Sequence, residues 1–160
     1  MEDPQIESED PASVARRISL NALARRAYST GELKRLLEKK LVPSEIIHEL
    51  IVKLTRSGLL NDSEYARAFR DSRIRTKGLS SRLIARELQE RGIDSELIQE
   101  VVDEIAHLDF PDAAIVAAAK KLRSTQDSRK ARDRAISLLA RRGYSLTQAV
   151  KIVELASKQV

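Results

Sequence analysis

Leu41, Gly92 and Gly143 stand 51 residues apart twice over, and the residues around them align. Val42-Pro43-Ser44-Glu45-Ile46-Ile47 lies over Ile93-Asp94-Ser95-Glu96-Leu97-Ile98, and Leu50, Ile51 and Leu54 lie over Val101, Val102 and Ile105. In a looser third copy, Tyr144, Ser145, Ile152 and Val153 take the corresponding places. A period of this length carried by short helices predicts tandem three-helix modules. Any further reading has to fit a chain built of such units.

Apolar residues recur with helical period from Val14 to Leu155, and no stretch alternates for long as a half-buried strand would. Ser29 with Glu32, and Ser145 with Gln148, have the spacing in which each side chain satisfies a backbone N–H that the first helical turn leaves unpaired. Both mark helix starts. Ser57-Gly58, Gly78, Gly92 and Gly143 mark stops, since glycine takes the left-handed conformation at a helix end without a Cβ clash. The pattern predicts nine helices, over residues 13–27, 30–40, 44–57, 62–76, 81–91, 95–107, 111–123, 129–142 and 146–158. In the second module Asp94 is placed to cap a helix, with Ile93 and Ile98 as a hydrophobic staple. Leu97, Ile98, Val101, Val102 and Ile105 form its apolar stripe, faced by Ile84 and Leu88 and by Tyr65 and Phe69. About ten large apolar residues per module make a marginal core, so the modules are expected to stack.

The expected fold is therefore all-α, with three helix-turn-helix-like repeats over residues 13–60, 61–108 and 109–160 in an elongated, curved arrangement. A radius of gyration near 15 Å, the value for a globular chain of this size, would count against elongation. Residues 1–12 hold five acids and no base, two prolines and one large apolar residue, Ile6. They are expected to be a disordered solubilising tail. Shielding of a basic surface is the alternative.

Composition removes whole classes of chemistry. The chain has no cysteine, which excludes disulfide frameworks, Fe–S clusters, thiolate zinc sites and cysteine nucleophiles. His48 and His107 have no second histidine at i+3 or i+4 to complete a zinc pair, and each is read as solvated or at a core edge. No glycine-rich phosphate loop follows a strand and no Gly-x-Ser-x-Gly elbow is present. The chain is expected to be no enzyme and to need no cofactor or metal. No apolar run approaches the ~18 residues of a membrane span and no basic region precedes an apolar one at the N-terminus, so a cytoplasmic protein is expected.

What remains is charge. The chain carries a net +5, and beyond residue 12 it holds 29 Lys and Arg against 19 Asp and Glu, a net of +10. Many bases have local explanations. Lys39, Lys40, Arg91, Arg141 and Arg142 fall in last helical turns, where a cation complements the helix dipole. Arg67 with Asp71, Arg86 with Glu90, and Glu87 with Arg91 have i, i+4 spacing. Between Arg70 and Arg86, however, six bases (Arg70, Arg73, Arg75, Lys77, Arg82, Arg86) meet one acid, Asp71, and from Arg129 to Arg134 Asp133 is the only acid. Such segments point to a polyanion or an acidic protein surface. With so few aromatics, contacts should be electrostatic and salt-sensitive, without base stacking.

The segment Leu59-Leu60-Asn61-Asp62-Ser63-Glu64-Tyr65-Ala66-Arg67, then Arg73, Lys77-Gly78 and Ile84-Ala85-Arg86-Glu87-Leu88-Gln89-Glu90-Arg91-Gly92-Ile93, resembles the central signature of the bacterial RecX family. Ala22-Leu23 to Ser29 with Glu32-Leu33 is similar to the family's first module, and Leu138-Leu139-Ala140-Arg141-Arg142-Gly143-Tyr144-Ser145 to its third. The likeness covers roughly residues 18 to 156 and departs from the family at Leu41, where a glycine is often found. It implies a modulator of the RecA recombinase that lies in the groove of the RecA filament on single-stranded DNA, also binds duplex DNA weakly, and lowers strand exchange, ATP hydrolysis and co-protease activity in DNA repair and the SOS response. A monomer is expected. Arg73, Lys77 and Arg82 carry over as contacts. Charge alone adds Arg25, Arg26, Arg70, Arg75, Arg86, Lys130, Arg132 and Arg134, while Asp62, Gly78 and Gly92 are read as shaping helix ends. The alternative is a helix-turn-helix-like transcription regulator that reads duplex sequence, which would bind one operator far more tightly than random duplex.

Overall fold

The computed structural model describes residues 9–159, which form nine α-helices and no strand. They are α1 (Pro11–Leu23), α2 (Thr30–Lys39), α3 (Ser44–Arg56), α4 (Asp62–Lys77), α5 (Ser81–Glu90), α6 (Ser95–Asp103), α7 (Asp112–Leu122), α8 (Ser128–Arg141) and α9 (Leu146–Ser157). Among the described residues, no helix is long and apolar enough to cross a membrane. Both capping boxes form: Ser29 Oγ accepts from Glu32 N at 3.0 Å and Ser145 Oγ from Gln148 N at 3.2 Å, with Glu32 and Gln148 reaching back to the cap amides.

Two compact units result, one of residues up to Tyr65 with Arg91–Ile93, the other of Ala66–Glu90 with Asp94 onward. In the first, α1, α2 and α3 pack around Ala15, Leu33, Leu37, Ile47, Leu50 and Leu54. In the second, α7, α8 and α9 close on a core dominated by small residues, Ala114, Ala118, Ala135, Ala149 and Ala156, with Leu139, Ile152 and Val153. Alanines let helix axes approach closely, which explains why this copy aligns loosely with the others while keeping the same architecture.

The 51-residue period recurs as a packing contact. In the first unit Ser29 Oγ donates to the Arg91 carbonyl at 2.6 Å, and the backbones of Gly31 and Gly92 touch. In the second, Ser80 N donates to the Arg142 carbonyl at 3.0 Å, with Gly143 against Ser80 and Leu83. Ser29 and Ser80, Arg91 and Arg142, and Gly92 and Gly143 are equivalent positions of the repeat. The turn that ends one module's second helix thus sits on the start of the preceding module's second helix. Leu41, the first-module counterpart, has φ of 60°, so the left-handed turn persists there without glycine.

Three local expectations need correction. Helix α1 starts at Pro11 rather than residue 13, because Asp10 Oδ2 accepts from Ser13 N at 3.2 Å and proline needs no partner in the first turn. Glu9 pairs with Arg17 at 2.6 Å, so two of the five acids assigned to the tail support a helix; Glu2, Asp3 and Glu7, with the expected disorder, lie outside the described residues. Helix α1 also ends at Leu23 instead of 27, where Arg25 N closes a tighter turn onto the Ala22 carbonyl at 3.1 Å. Helix α6 stops at Asp103 instead of 107: Arg70 Nη1 donates to the Val101 carbonyl at 2.8 Å, and Ile105 N turns to the Val102 carbonyl at 3.2 Å.

Candidate polyanion interface

The basic residues separate according to whether the fold gives them partners. On α4 the inward face is Ala66 and Arg70, while Tyr65 and Phe69, expected to face the core, are half-buried at its edge. Arg70 is only 7% exposed. Besides the Val101 carbonyl it engages Asp71 at 2.8 Å and the Glu104 carboxylate. Arg67 pairs with Glu104 at 2.6 Å and with Glu100, rather than with Asp71. Hydrogen bonds from Arg67 and Arg70 outweigh desolvation and hold the Glu104 carboxyl below its usual range. One turn further along α4, Arg73 donates to Glu87 at 2.8 Å and stacks on Phe69 with its guanidinium 4.4 Å from the ring centroid.

Arg75 and Lys77 differ from these neighbours. Both are exposed, and neither side chain has a hydrogen bond or ion pair among the described residues. Arg82, on the first turn of α5, is also exposed, and its Nε donates to the Gly143 carbonyl at 3.2 Å. Arg86 pairs with Glu90 on the surface at 3.3 Å. Of the six bases in this segment, the structure therefore buries Arg70, holds the half-buried Arg73 against Glu87, pairs Arg86 locally, and leaves Arg75, Lys77 and Arg82 presented to solvent.

In the first unit the consecutive arginines diverge. The Arg25 side chain is exposed and has no partner among the described residues, whereas Arg26 lies 3.6 Å above the Tyr28 ring centroid and pairs with Glu32 at 3.0 Å. Burial opposes the charge on Glu32, but the hydrogen bonds from Arg26, the Ser29 amide and the Tyr65 hydroxyl prevail and hold its carboxyl below the ordinary value. The same surroundings, burial first and then the Glu32 charge, raise the Tyr65 hydroxyl. In the third module Lys130 pairs with Asp127 at 3.5 Å, while Arg132 and Arg134 are exposed and unpartnered among the described residues.

Counting acids within a segment missed the neutralising partners. Glu87, Glu100 and Glu104 lie 14 to 37 residues from the arginines they meet, because the three-helix turn folds α5 and α6 back onto α4. The only signal for them was the repeat itself, which puts the second and third helices of a module against the first. His48 and His107 are both exposed, and among the described residues no three His, Asp or Glu side chains are grouped to hold a metal ion. A surface of this kind offers guanidinium and ammonium donors to an anion.

Known proteins resemble this chain in sequence and fold. Residues 15–54 match the family model of the RecX first three-helix domain, and residues 61–102 that of the RecX second three-helix domain. Regulatory protein RecX of Streptomyces coelicolor is 33% identical over 152 residues, covering 94% of this chain and 81% of that protein. Regulatory protein RecX of Corynebacterium efficiens is 34% identical over 145 residues, covering 86% of this chain and 69% of that protein. The fold matches the crystal structure of RecX from Lactobacillus salivarius with a TM-score of 0.79 at 21% identity, over 92% of this chain and 97% of that one. A second crystal structure, of regulatory protein RecX, matches with a TM-score of 0.77 at 18% identity, over 99% of this chain and 82% of that one. With tandem three-helix domains matched in order and this identity sustained along nearly the whole chain, the protein belongs to the RecX family and is a RecX-like regulator.

Proposed function

We propose that this chain is a non-enzymatic, cytoplasmic regulator that acts as a monomer on the RecA filament assembled on single-stranded DNA. It limits the recombinase, ATPase and co-protease activities of that filament in DNA repair and the SOS response. Membership of the RecX family supports this reading. The observation that carries it is the sorting of the α4–α5 cations: Arg75, Lys77 and Arg82 remain exposed next to the buried Arg70 and the half-buried Arg73, which Glu104 and Glu87 hold. Exposed cations grouped in this way do little for folding and attract polyanions or acidic protein faces through a salt-dependent field. Arg25, Arg132 and Arg134 join them as contacts, while Arg70, Arg73 and Arg26 act by shaping the surface.

The test is RecA ATP hydrolysis and filament length on single-stranded DNA with increasing amounts of this protein. Both should fall at stoichiometric or lower amounts, and no effect there would sink the proposal. A variant carrying Arg75→Glu, Lys77→Glu and Arg82→Glu should need roughly ten times more protein for the same inhibition, about 1.4 kcal/mol of lost binding. Its helicity should be unchanged. Inhibition equal to wild type would remove these three residues as contacts while leaving the function intact.

A further inference from the structure

Basic side chains on the third module also divide into two kinds. Arg123 donates to the Gln159 carbonyl at 3.4 Å, Arg142 to the Ala113 carbonyl at 3.1 Å, and Lys130 pairs with Asp127 at 3.5 Å. Lys121, Arg134 and Arg141 do none of this. They line one shallow hollow of about 350 Å³ together with Ser137 and Asp133. Lys121 comes from the end of α7 and the other four from α8. Arg134 and Arg141 are exposed, Lys121 is partly so, and none of the three side chains has a hydrogen bond or ion pair among the described residues.

Seven residues separate Arg134 from Arg141, two helical turns or about 10 Å along one face, with the Ser137 hydroxyl between them. Three cations against the single Asp133 leave the hollow at a net +2. Lys121 and Arg141 lie in the last turns of α7 and α8, where a cation complements the helix dipole, but Arg134 lies in mid-helix and gains nothing of that kind, and the dipoles do not require all three to share one hollow. Its composition identifies the kind of anion. No apolar side chain lines the hollow, whereas a protein partner needs a desolvated apolar centre flanked by polar groups. Phosphate contacts need only donors: forked guanidiniums, an ammonium and a hydroxyl. About 10 Å is also long enough to reach more than one phosphate of a strand, whose charges succeed one another every few ångströms.

We infer that Lys121, Arg134, Arg141 and Ser137 form a phosphate-binding site for the backbone of single-stranded nucleic acid, in addition to the α4–α5 cations. This deepens the filament reading and rests on it for the choice of a nucleic-acid strand. The measurement uses the full chain without RecA: fluorescence anisotropy of a labelled thymidine 30-mer across a salt series. Each phosphate contact on a single strand contributes about 0.7 to the slope of log affinity against log salt, so Lys121→Gln, Arg134→Gln and Arg141→Gln together should flatten it by about 2. A charge-matched control with Lys39→Gln, Lys40→Gln and Arg56→Gln should keep the wild-type slope within about 0.5, less than one contact. If the triple variant lost helicity, Arg134→Gln alone would be read, with an expected loss of about 0.7. A slope equal to wild type, or equal loss in the control, overturns the inference. So does a triple variant that binds DNA normally but no longer inhibits RecA ATPase, which would assign the hollow to an acidic protein face. Because RecA is absent from the binding assay, failure there is distinguishable from failure of the filament reading.

Discussion

Replacing Gly92 with alanine should destabilise the first unit through two separable effects. Gly92 has φ of 75°, where a Cβ crowds the following carbonyl at a cost of about 1 to 2 kcal/mol. The new Cβ would also lie 2.9 Å from the Cα of Gly31. Backbone cannot swing aside as a flexible side chain can, and overpacking of this type costs about 1 to 3 kcal/mol. Gly58 supplies the control: its φ of 76° is nearly the same, and a Cβ there meets nothing within 4 Å. Thermal and urea melts followed by circular dichroism should show Gly58→Ala costing about 1 kcal/mol and Gly92→Ala about 2 to 4 kcal/mol. For a chain of this length those losses correspond to roughly 3 °C and 6 to 12 °C in Tm. Equal losses would refute the claim that the two glycine backbones are held in contact and leave only the dihedral effect.

Leu41→Gly should stabilise the same unit. Leu41 sits at φ of 60° with its side chain 90% exposed, so glycine relieves strain without removing packing; after the greater entropy of glycine in the unfolded chain, a gain of about 0.5 to 1 kcal/mol is expected in the same melts. In the second unit Tyr144 is buried and its hydroxyl donates to the Gly78 carbonyl at 2.9 Å, so Tyr144→Phe should cost about 1 kcal/mol. Burial, only partly opposed by the Arg142 charge, pushes the Tyr144 hydroxyl up from 10 to about 12. The folded chain keeps this proton where the unfolded chain releases it, so wild-type stability should fall as pH rises through that window. A melt series from pH 9 upward should show a shallower fall in Tyr144→Phe than in wild type.

Helix identity was legible along the chain because its causes act within a turn or two. Ser29 and Ser145 cap amides three residues away, Gly92 and Gly143 end helices by their own dihedral freedom, and apolar residues spaced by one turn mark the buried faces. The 51-residue period added the module count and correctly placed Leu41 with the two glycines, since one stacking contact recurs at equivalent positions. Helix ends set by distant groups were not legible: α6 stops where it does because Arg70, 31 residues earlier, takes the Val101 carbonyl.

The division of the basic residues belongs to the same class. Arg70, Arg73, Arg75 and Lys77 are alike in composition and neighbourhood, yet Arg70 fills a core position, Arg73 faces Glu87, and the Arg75 and Lys77 side chains are exposed with no partner among the described residues. Lys121 joins Arg134 and Arg141 only when α7 packs on α8. Periodicity and caps are local properties of a helix, so the chain order alone carries them. Compensation of charge depends on distance in space, and only the packed modules decide which cations remain free to act.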